Sequence, residues 1–381
     1  MTDIAVVGAG PAGSVFAWRA AREGADVTIF DASHPREKPC GGGLTAKALD
    51  LLPGAPTDDP LPGRLVHACR FDSGEGDHVD VALARPMLVS SRLELDAWLL
   101  RRATEAGARH IASRVIAVSV PDAARLRTAG GDEIQFDVVV GADGAGSLVR
   151  RSLLAPVPRE RLCIATGWFA RGTSDTVVRF APGLVGYEWV FPRPDHVGVG
   201  ICAPLGAVPT AQLLERLERD VARHFPALVD EEGGRYAHTL PSPSTDPRTI
   251  LEVAGPRWAL LGDAAGLVDP VTGEGIHHAL RSAHVLADTL RDTGSPATYP
   301  ERVLEDFGRD LLKAAALRER FYAPGFSRRI VRFAALSPAI ERVLGDLVLG
   351  EQGYRGLKRR LLRAAPRFAA EATLSRLLGR A

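Results

Sequence analysis

Cysteine is scarce in this chain. Cys40, Cys69, Cys163 and Cys202 are the only four in 381 residues, and no two form a CxxC pair. That spacing excludes a disulfide framework and a zinc site, and predicts reduced thiols, no metal and a cytoplasmic setting. Long hydrophobic runs are missing too. No stretch reaches the roughly 18 apolar residues of a membrane span. Nothing basic precedes the first apolar segment, Ile4 to Val7, so no secretory leader is expected. Net charge is almost nil, with 47 Lys+Arg against 46 Asp+Glu. Without a nucleic-acid motif, that balance excludes a nucleic-acid partner. There is no internal repeat and no low-complexity linker. What remains is an ordinary globular composition, long enough for two closely packed domains.

The charge is unevenly spread. Residues 301–381 carry 17 Lys+Arg and 9 Asp+Glu, so a basic tail follows an acidic body. Two stretches of the tail, Phe326 to Leu336 and Leu357 to Phe368, set apolar residues against arginines at helical spacing. Such helices either lie on an anionic membrane surface or cover a domain with a solvated basic face. Both readings are open at this point. Breaks are expected near Pro324, Pro338 and Pro366.

Residues 2–31 read as strand, glycine turn, helix and strand. Gly8-Ala9-Gly10-Pro11-Ala12-Gly13 fits GxGxxG, with Asp31 at the end of the second strand. Gly8 permits the tight turn, Gly10 lets backbone approach a pyrophosphate, and Gly13 lets the helix, which carries Ala12 on its first turn, pack on the strand. Asp31 is placed to accept hydrogen bonds from a ribose. A helix is expected near Thr45 to Leu52, another over 92–106, and one buried strand over Phe136 to Val140. Residues 160–203 have the β-like pattern of an antiparallel sheet. Gly198-Val199-Gly200-Ile201-Cys202-Ala203 nominally fits a second glycine motif. No second strand with a terminal acid follows, so it reads as an antiparallel strand, and no second nucleotide domain is expected. A helix spans Ile276 to Leu290.

The first motif does not choose between NAD and FAD. Gly141-Ala142-Asp143-Gly144-Ala145-Gly146-Ser147-Leu148-Val149-Arg150 resembles a segment of flavoprotein hydroxylases and their relatives. Gly262-Asp263 resembles their GD motif, in which the aspartate binds the ribityl chain of FAD. Asp143 reads equally as a cofactor ligand or as a helix cap. Three further segments are similar to the geranylgeranyl reductase family: Lys38-Pro39-Cys40-Gly41-Gly42-Gly43-Leu44, Tyr187-Glu188-Trp189-Val190-Phe191-Pro192, and Asp269-Pro270-Val271-Thr272-Gly273-Glu274-Gly275-Ile276. The likeness spans residues 1 to about 290. It departs at Leu184, where the family often has proline.

This resemblance implies an α/β fold: a Rossmann-like FAD-binding domain (1–155 and 250–295), an inserted antiparallel β-sheet substrate domain (60–90 and 156–249) and a helical basic C-terminal region (296–381). It implies that FAD is held by Gly8, Gly10, Ala12, Gly13, Asp31, Cys40, Gly41, Gly42, Arg92, Asp143, Gly262, Asp263, Gly273, Gly275 and Ile276. For Arg92 a solvated helix arginine is the other reading. The implied reaction is reduction of isoprenoid double bonds by reduced FAD, with NADPH or a ferredoxin-like protein as electron donor. Tyr187, Trp189 and Phe191 alternate along one strand face. By spacing alone they are sheet core; the resemblance makes Tyr187 and Trp189 an aromatic wall for a prenyl chain. Cys40 is either a proton donor or a small buried hydrophobe. The alternative function is a flavin monooxygenase acting on an aromatic or polyketide substrate.

Overall fold

The computed structural model describes residues 2–54, 59–228, 234–323 and 325–364. The chain opens with β1 (Asp3–Val7), α1 (Pro11–Arg22) and β2 (Asp26–Phe30). Both strands are buried after their first residue, as strands covered on two faces must be. Pro11 begins α1 at no hydrogen-bond cost, because the first helical N–H has no intrahelical partner. A loop then carries β3 (Gly43–Leu44) and the short α2 (Ala46–Leu49), capped by the Thr45 hydroxyl. The helix expected to Leu52 stops at Leu49 and decays into a turn, since Pro53 disfavours a helical residue before it.

The hairpin β4 (Arg64–Asp72) and β5 (His78–Val89) leaves for a second sheet, and α3 (Arg92–Glu105) brings the chain back. Strand β6 (Arg109–Ile111) follows, then a three-stranded antiparallel flap of β7 (Val115–Ser119), β8 (Ala124–Thr128) and β9 (Glu133–Phe136). Strand β10 (Val138–Gly141) comes next. The single strand expected over 136–140 is divided at Asp137, whose N–H turns to the Asp3 carbonyl. The upstream half pairs with β8 and the downstream half with β1.

After α4 (Leu148–Leu153) the chain builds β11 (Leu162–Ala170), β12 (Val177–Phe180), β13 (Tyr187–Pro192) and β14 (Val197–Pro204). Helix α5 (Thr210–His224) and β15 (Arg235–Pro241) complete that excursion. Then α6 (Arg248–Leu251), β16 (Ala254–Gly255), β17 (Trp258–Leu260), α7 (Gly262–Ala265) and α8 (Ile276–Thr293) restore the first layer. Helices α9 (Tyr299–Val303), α10 (Arg309–Phe321), α11 (Phe326–Leu336), α12 (Pro338–Val348) and α13 (354–364) end the described chain. Pro338 stands at the start of α12; Pro324, Pro366, Arg367 and Phe368 lie outside the described residues.

The nucleotide-type sheet has the order β16-β17-β10-β1-β2-β6, parallel except at β16. The second sheet runs β15-β11-β14-β13-β12-β4-β5-β3. It is antiparallel except where β12 runs parallel to β4, an exception to the expected pattern. Those two strands come from separate excursions of the chain, so no hairpin dictates their direction. The glycines at 198 and 200 lie in β14 as expected, and the register explains Gly200. It stands opposite Trp189, and a Cβ there would lie 2.1 Å from the indole ring.

The far face of this sheet is covered by α5, through Leu213, Leu217 and Val221 at successive helical turns. On the other side, α11 and α12 pack Val331, Ala334, Ile340 and Leu344 against Cys69, Phe71 and Val81. The apolar residues of the last helix face inward too: Leu357, Leu361 and Ala364 join these clusters. Among the described residues, no helix is long and apolar enough to cross a membrane.

Candidate active site

A cleft of about 980 Å³ opens at the C-terminal ends of β1, β10 and β17, where open α/β sheets bind ligands. Its floor is the turn between β1 and α1. Gly8 has φ +104°, and a Cβ there would come within 2.4 Å of the Ala142 carbonyl oxygen. No side chain but glycine's fits. Helix α1 has no side-chain cap and no acidic residue in its first turn. Its free N–H groups and dipole therefore point at the cleft and favour an anion. Gly13 packs so tightly that its Cβ would lie 2.0 Å from the Gly8 oxygen.

Asp31 lines the cleft and accepts from Ala9 N at 2.9 Å and from Ser33 N at 2.8 Å. Burial pushes its carboxyl up, but these hydrogen bonds outweigh it and hold the group below its usual range. Two oxygens offer about four lone-pair sites, so capacity for a ribose hydroxyl remains. Arg92 is buried in a bidentate pair with Asp96, both contacts 2.8 Å, with Nη2 beside Gly10. It is a fixed cation in the wall, not a solvated helix arginine.

Asp143 lines the cleft, but its carboxylate caps α4: it accepts from Ser147 Oγ at 2.5 Å, Leu148 N at 2.6 Å and Val149 N at 3.2 Å. Of the two readings the sequence left open, the hydrogen bonds realise the cap. Asp263 also faces the cleft, with Lys38 Nζ 3.4 Å from Oδ2. Gly262, at φ +50°, donates its N–H to Ser282 Oγ. It begins α7 and sets Asp263 in place without lining the cleft itself.

Behind this cleft lies a second, apolar cavity of about 180 Å³. Tyr187, Trp189 and Phe191 form one wall of it, while the alternate residues Glu188 and Val190 face α5. Tyr187 donates to the Thr272 carbonyl at 2.6 Å, and burial pushes its phenol far up, so it stays neutral. The Nε1–H of Trp189 is buried without a hydrogen-bond partner.

Cys40, Gly273, Gly275 and Ile276 line both cavities and form the partition between them. Gly41 and Gly42, predicted as cofactor contacts, line only the apolar side. Gly42 has φ +80°, and its Cβ would sit 2.1 Å from the Ser90 oxygen. The Cys40 sulfur accepts from Gly42 N at 3.3 Å. Arg193, fully buried, holds this loop by donating to the Cys40 carbonyl at 2.7 Å and pairing with Glu37 at 3.1 Å.

Several site residues escaped sequence reasoning. Phe321, Tyr322, Leu344 and Val348 of the C-terminal helices roof the apolar cavity. Tyr322 donates to the Val271 carbonyl at 2.5 Å and Tyr354 to Asp269 Oδ1 at 3.1 Å, so the C-terminal region ties down the loop before α8. Glu274 lines the cavity and accepts from Thr45 Oγ1 at 2.7 Å, and burial raises its carboxyl. It also gathers with His277 and His278, whose ligand-type atoms lie within 4.8 Å of one another and of its own. Burial, then the neighbouring His278, Lys47 and Arg281, bring His277 down to about 2, so its imidazole stays neutral. His238 of β15 lines the cleft with Nε2 buried and unpartnered, and burial brings it down to about 4. A sign for Tyr322 and Tyr354 was available only as aromatics amid tail arginines, outside every motif.

The residues present fit FAD. The uncapped helix terminus, a cradle that any Cβ would fill, the free edge of Asp263 and the unpartnered His238 nitrogen each await a large polar ligand.

Comparison with known proteins agrees. Residues 1–296 match the family model described as FAD binding domain. The menaquinone reductase of Mycobacterium tuberculosis is 32% identical over 378 residues, covering 91% of each chain. Digeranylgeranylglycerophospholipid reductase 1 of Methanopyrus kandleri is 30% identical, covering 82% of this chain and 88% of that one. Among solved structures, a geranylgeranyl bacteriochlorophyll reductase-like protein of Thermoplasma acidophilum superimposes with TM-score 0.77 over 99% of both chains, at 22% identity. A flavin-dependent brominase superimposes with TM-score 0.75 over 96% of this chain and 99% of that one, at 19% identity, which shows a shared fold alone. With its GxGxxG and GD segments about the cleft, YxWxFP along the apolar cavity and KPCGG between the two, the chain belongs to the FAD-binding-domain family of flavoproteins, in its geranylgeranyl reductase branch.

Proposed function

We propose that this protein saturates carbon–carbon double bonds of an isoprenoid chain, and that the chain is the prenyl side chain of a quinone. The observation that carries the reading is the pair of cavities sharing one thin partition. A polar cleft shaped for FAD abuts an apolar, aromatic-walled cavity, with Cys40 and Gly273 to Ile276 between them. An isolated alkene has no polar handle, so an apolar cavity that fixes its position is what its reduction requires. The quinone is favoured because the likeness to menaquinone reductase spans 91% of both chains, more than the likeness to the digeranylgeranyl lipid reductase.

FAD, when bound and reduced, supplies hydride at the partition. The α1 terminus and Arg92 would hold its pyrophosphate, Asp31 its adenosine ribose and Asp263 its ribityl chain. Tyr187, Trp189 and Phe191 orient the prenyl chain and exclude water. Cys40, facing both cavities, relays the proton to the second alkene carbon. Electrons arrive from NADPH or a ferredoxin-like donor bound transiently, since the second glycine motif is a sheet strand. Exposed Lys358, Arg359 and Arg363 surround Leu362, which is 64% exposed. This outward face, not the apolar one the sequence singled out, meets the membrane that holds the substrate.

The test is anaerobic photoreduction of the flavoprotein, addition of a prenylated quinone, and mass spectrometry of the recovered lipid. Reoxidation of the flavin without oxygen, with a gain of two mass units, is expected. Reoxidation that waits for oxygen and yields hydroxylated product assigns the protein to the monooxygenases instead.

A further inference from the structure

Three groups outside this chemistry meet behind the aromatic wall. Cys163 lies on β11 and Cys202 on β14, paired so that Ala165 faces Cys202 and Cys163 faces Pro204. The two thiols therefore share a sheet face as diagonal neighbours. From α10, Arg318 Nη2 reaches to 2.9 Å from the Cys163 sulfur. A cavity of about 30 Å³, lined by both thiols, Arg318, Asp269 and Tyr187, adjoins them. It has room for one molecule the size of water or peroxide. Cys202 also faces the apolar cavity and stands opposite Tyr187 in the β13–β14 ladder.

We propose that Cys163 is a peroxide-reactive thiolate and Cys202 its resolving thiol, a redox-modification site in the wall of the substrate cavity. The oxidant is hydrogen peroxide, which reduced flavins generate on meeting oxygen. The Cys163 thiolate attacks one peroxide oxygen: an S–O bond forms, the O–O bond breaks, and the leaving hydroxide takes a proton to become water. The Cys202 sulfur, giving up its proton, then attacks the sulfenic sulfur. The S–S bond forms, the S–O bond breaks, and a second water leaves. Two electrons pass from the sulfurs to peroxide, and two protons leave with the waters.

The surroundings suit this chemistry. The neighbouring Cys202 thiol and the Arg318 guanidinium outweigh burial and bring the Cys163 thiol down to about 7. Cys69, where burial dominates, is pushed up to about 12 and serves as an internal control. Diagonal partners stand about 7–8 Å apart at Cα, beyond the usual disulfide span of about 4.4–6.8 Å. Closing the bond therefore shifts β14 against β11 and moves Cys202 and Tyr187 in the cavity wall. A bond closed under strain is readily reduced, as a reversible switch requires.

The test treats FAD-loaded protein with hydrogen peroxide and maps cysteine peptides without reductant. A Cys163–Cys202 linked peptide, lighter by two hydrogens, is expected, with Cys69 unmodified. In Cys202→Ala, a dimedone adduct on Cys163 is expected. In Arg318→Met, adduct formation slows about fivefold at neutral pH, the lost thiolate fraction being partly offset by greater nucleophilicity. Flavin absorbance of each variant reports that it has folded. Modification of Cys40 with Cys163 untouched, or an Arg318→Met rate equal to wild type, overturns the proposal.

Discussion

Single residues decide the chemistry, and two of them give separable predictions. Cys40 has its sulfur between the two cavities, within reach of both. If it relays the proton, Cys40→Ala lowers the rate of substrate-dependent flavin reoxidation by roughly 10²–10⁴-fold. FAD affinity, read by flavin fluorescence, stays close to wild type, because the loop is pinned through the Cys40 carbonyl, not the thiol. An unchanged reoxidation rate assigns the proton to water. Glu188 sits on β13, on the face away from the aromatic wall, in contact with Arg179 at 2.9 Å and flanked by Asp220. Burial, only partly offset by Arg179, pushes its carboxyl up to about 8. Glu188 thus keeps its proton over the neutral range, while Asp220 is held below its ordinary value. Because the folded-state value lies above the ordinary 4.5, folding takes up a proton. The stability this confers is full below about pH 4.5 and is lost as pH rises through 8. Glu188→Gln should therefore flatten the decline of Tm across that window, and identical slopes in wild type and variant would count against a raised Glu188.

At the scale of elements, the loop Asp269–Gly273 is held from three sides by phenols. Tyr187 comes from the sheet, Tyr322 from just past the end of α10 and Tyr354 from α13. Tyr322→Phe leaves the buried Val271 carbonyl unsatisfied, at a cost of about 1–3 kcal/mol. Because that loop leads into α8 at the partition, KM for the prenyl substrate should rise while FAD affinity holds. Equal losses in both would mean the tether serves the fold alone. This tether also shows what was hidden from sequence. The β1–α1 turn was legible because Gly8 and Gly13 answer to local geometry, and Asp31 sits at a fixed offset from them. The wall of Tyr187, Trp189 and Phe191 was legible as an alternating strand. Its other side was not: that Glu188 lies in a charge cluster with α5 depends on a contact 32 residues away, from 188 to 220. The cap role of Asp143 was visible only as one of two readings, because Ser147 and the α4 backbone compete with a ligand for the same oxygens. The roof of the cavity was invisible, since Phe321, Leu344 and Val348 carry no pattern beyond helical spacing.

Over the whole molecule, the amphipathic tail shows how a correct local pattern can mislead about its partner. Helix α13 does segregate apolar from basic residues, yet Leu357, Leu361 and Ala364 are spent on the protein itself. On α11, Arg328 and Arg332 both lean on Asp77. Arg360 is held by Asp346, and Arg355 pairs with Asp310. What α13 leaves facing solvent is the trio Lys358, Arg359 and Arg363 around Leu362. A cationic patch with one apolar tip lies on an anionic surface by attraction to headgroups, not by burying a helix face. Each cation near such a surface contributes about 1 kcal/mol, so Lys358→Gln or Arg359→Gln should weaken binding to anionic vesicles about fivefold each. The attraction is screened, so binding should weaken as salt is raised and vanish on vesicles of neutral lipid. Co-sedimentation with vesicles of both compositions reads these outcomes directly. Because α13 packs against the helices that roof the apolar cavity, docking there would bring that cavity toward the membrane surface. Binding that is indifferent to salt and lipid charge would place the docking face elsewhere on the molecule.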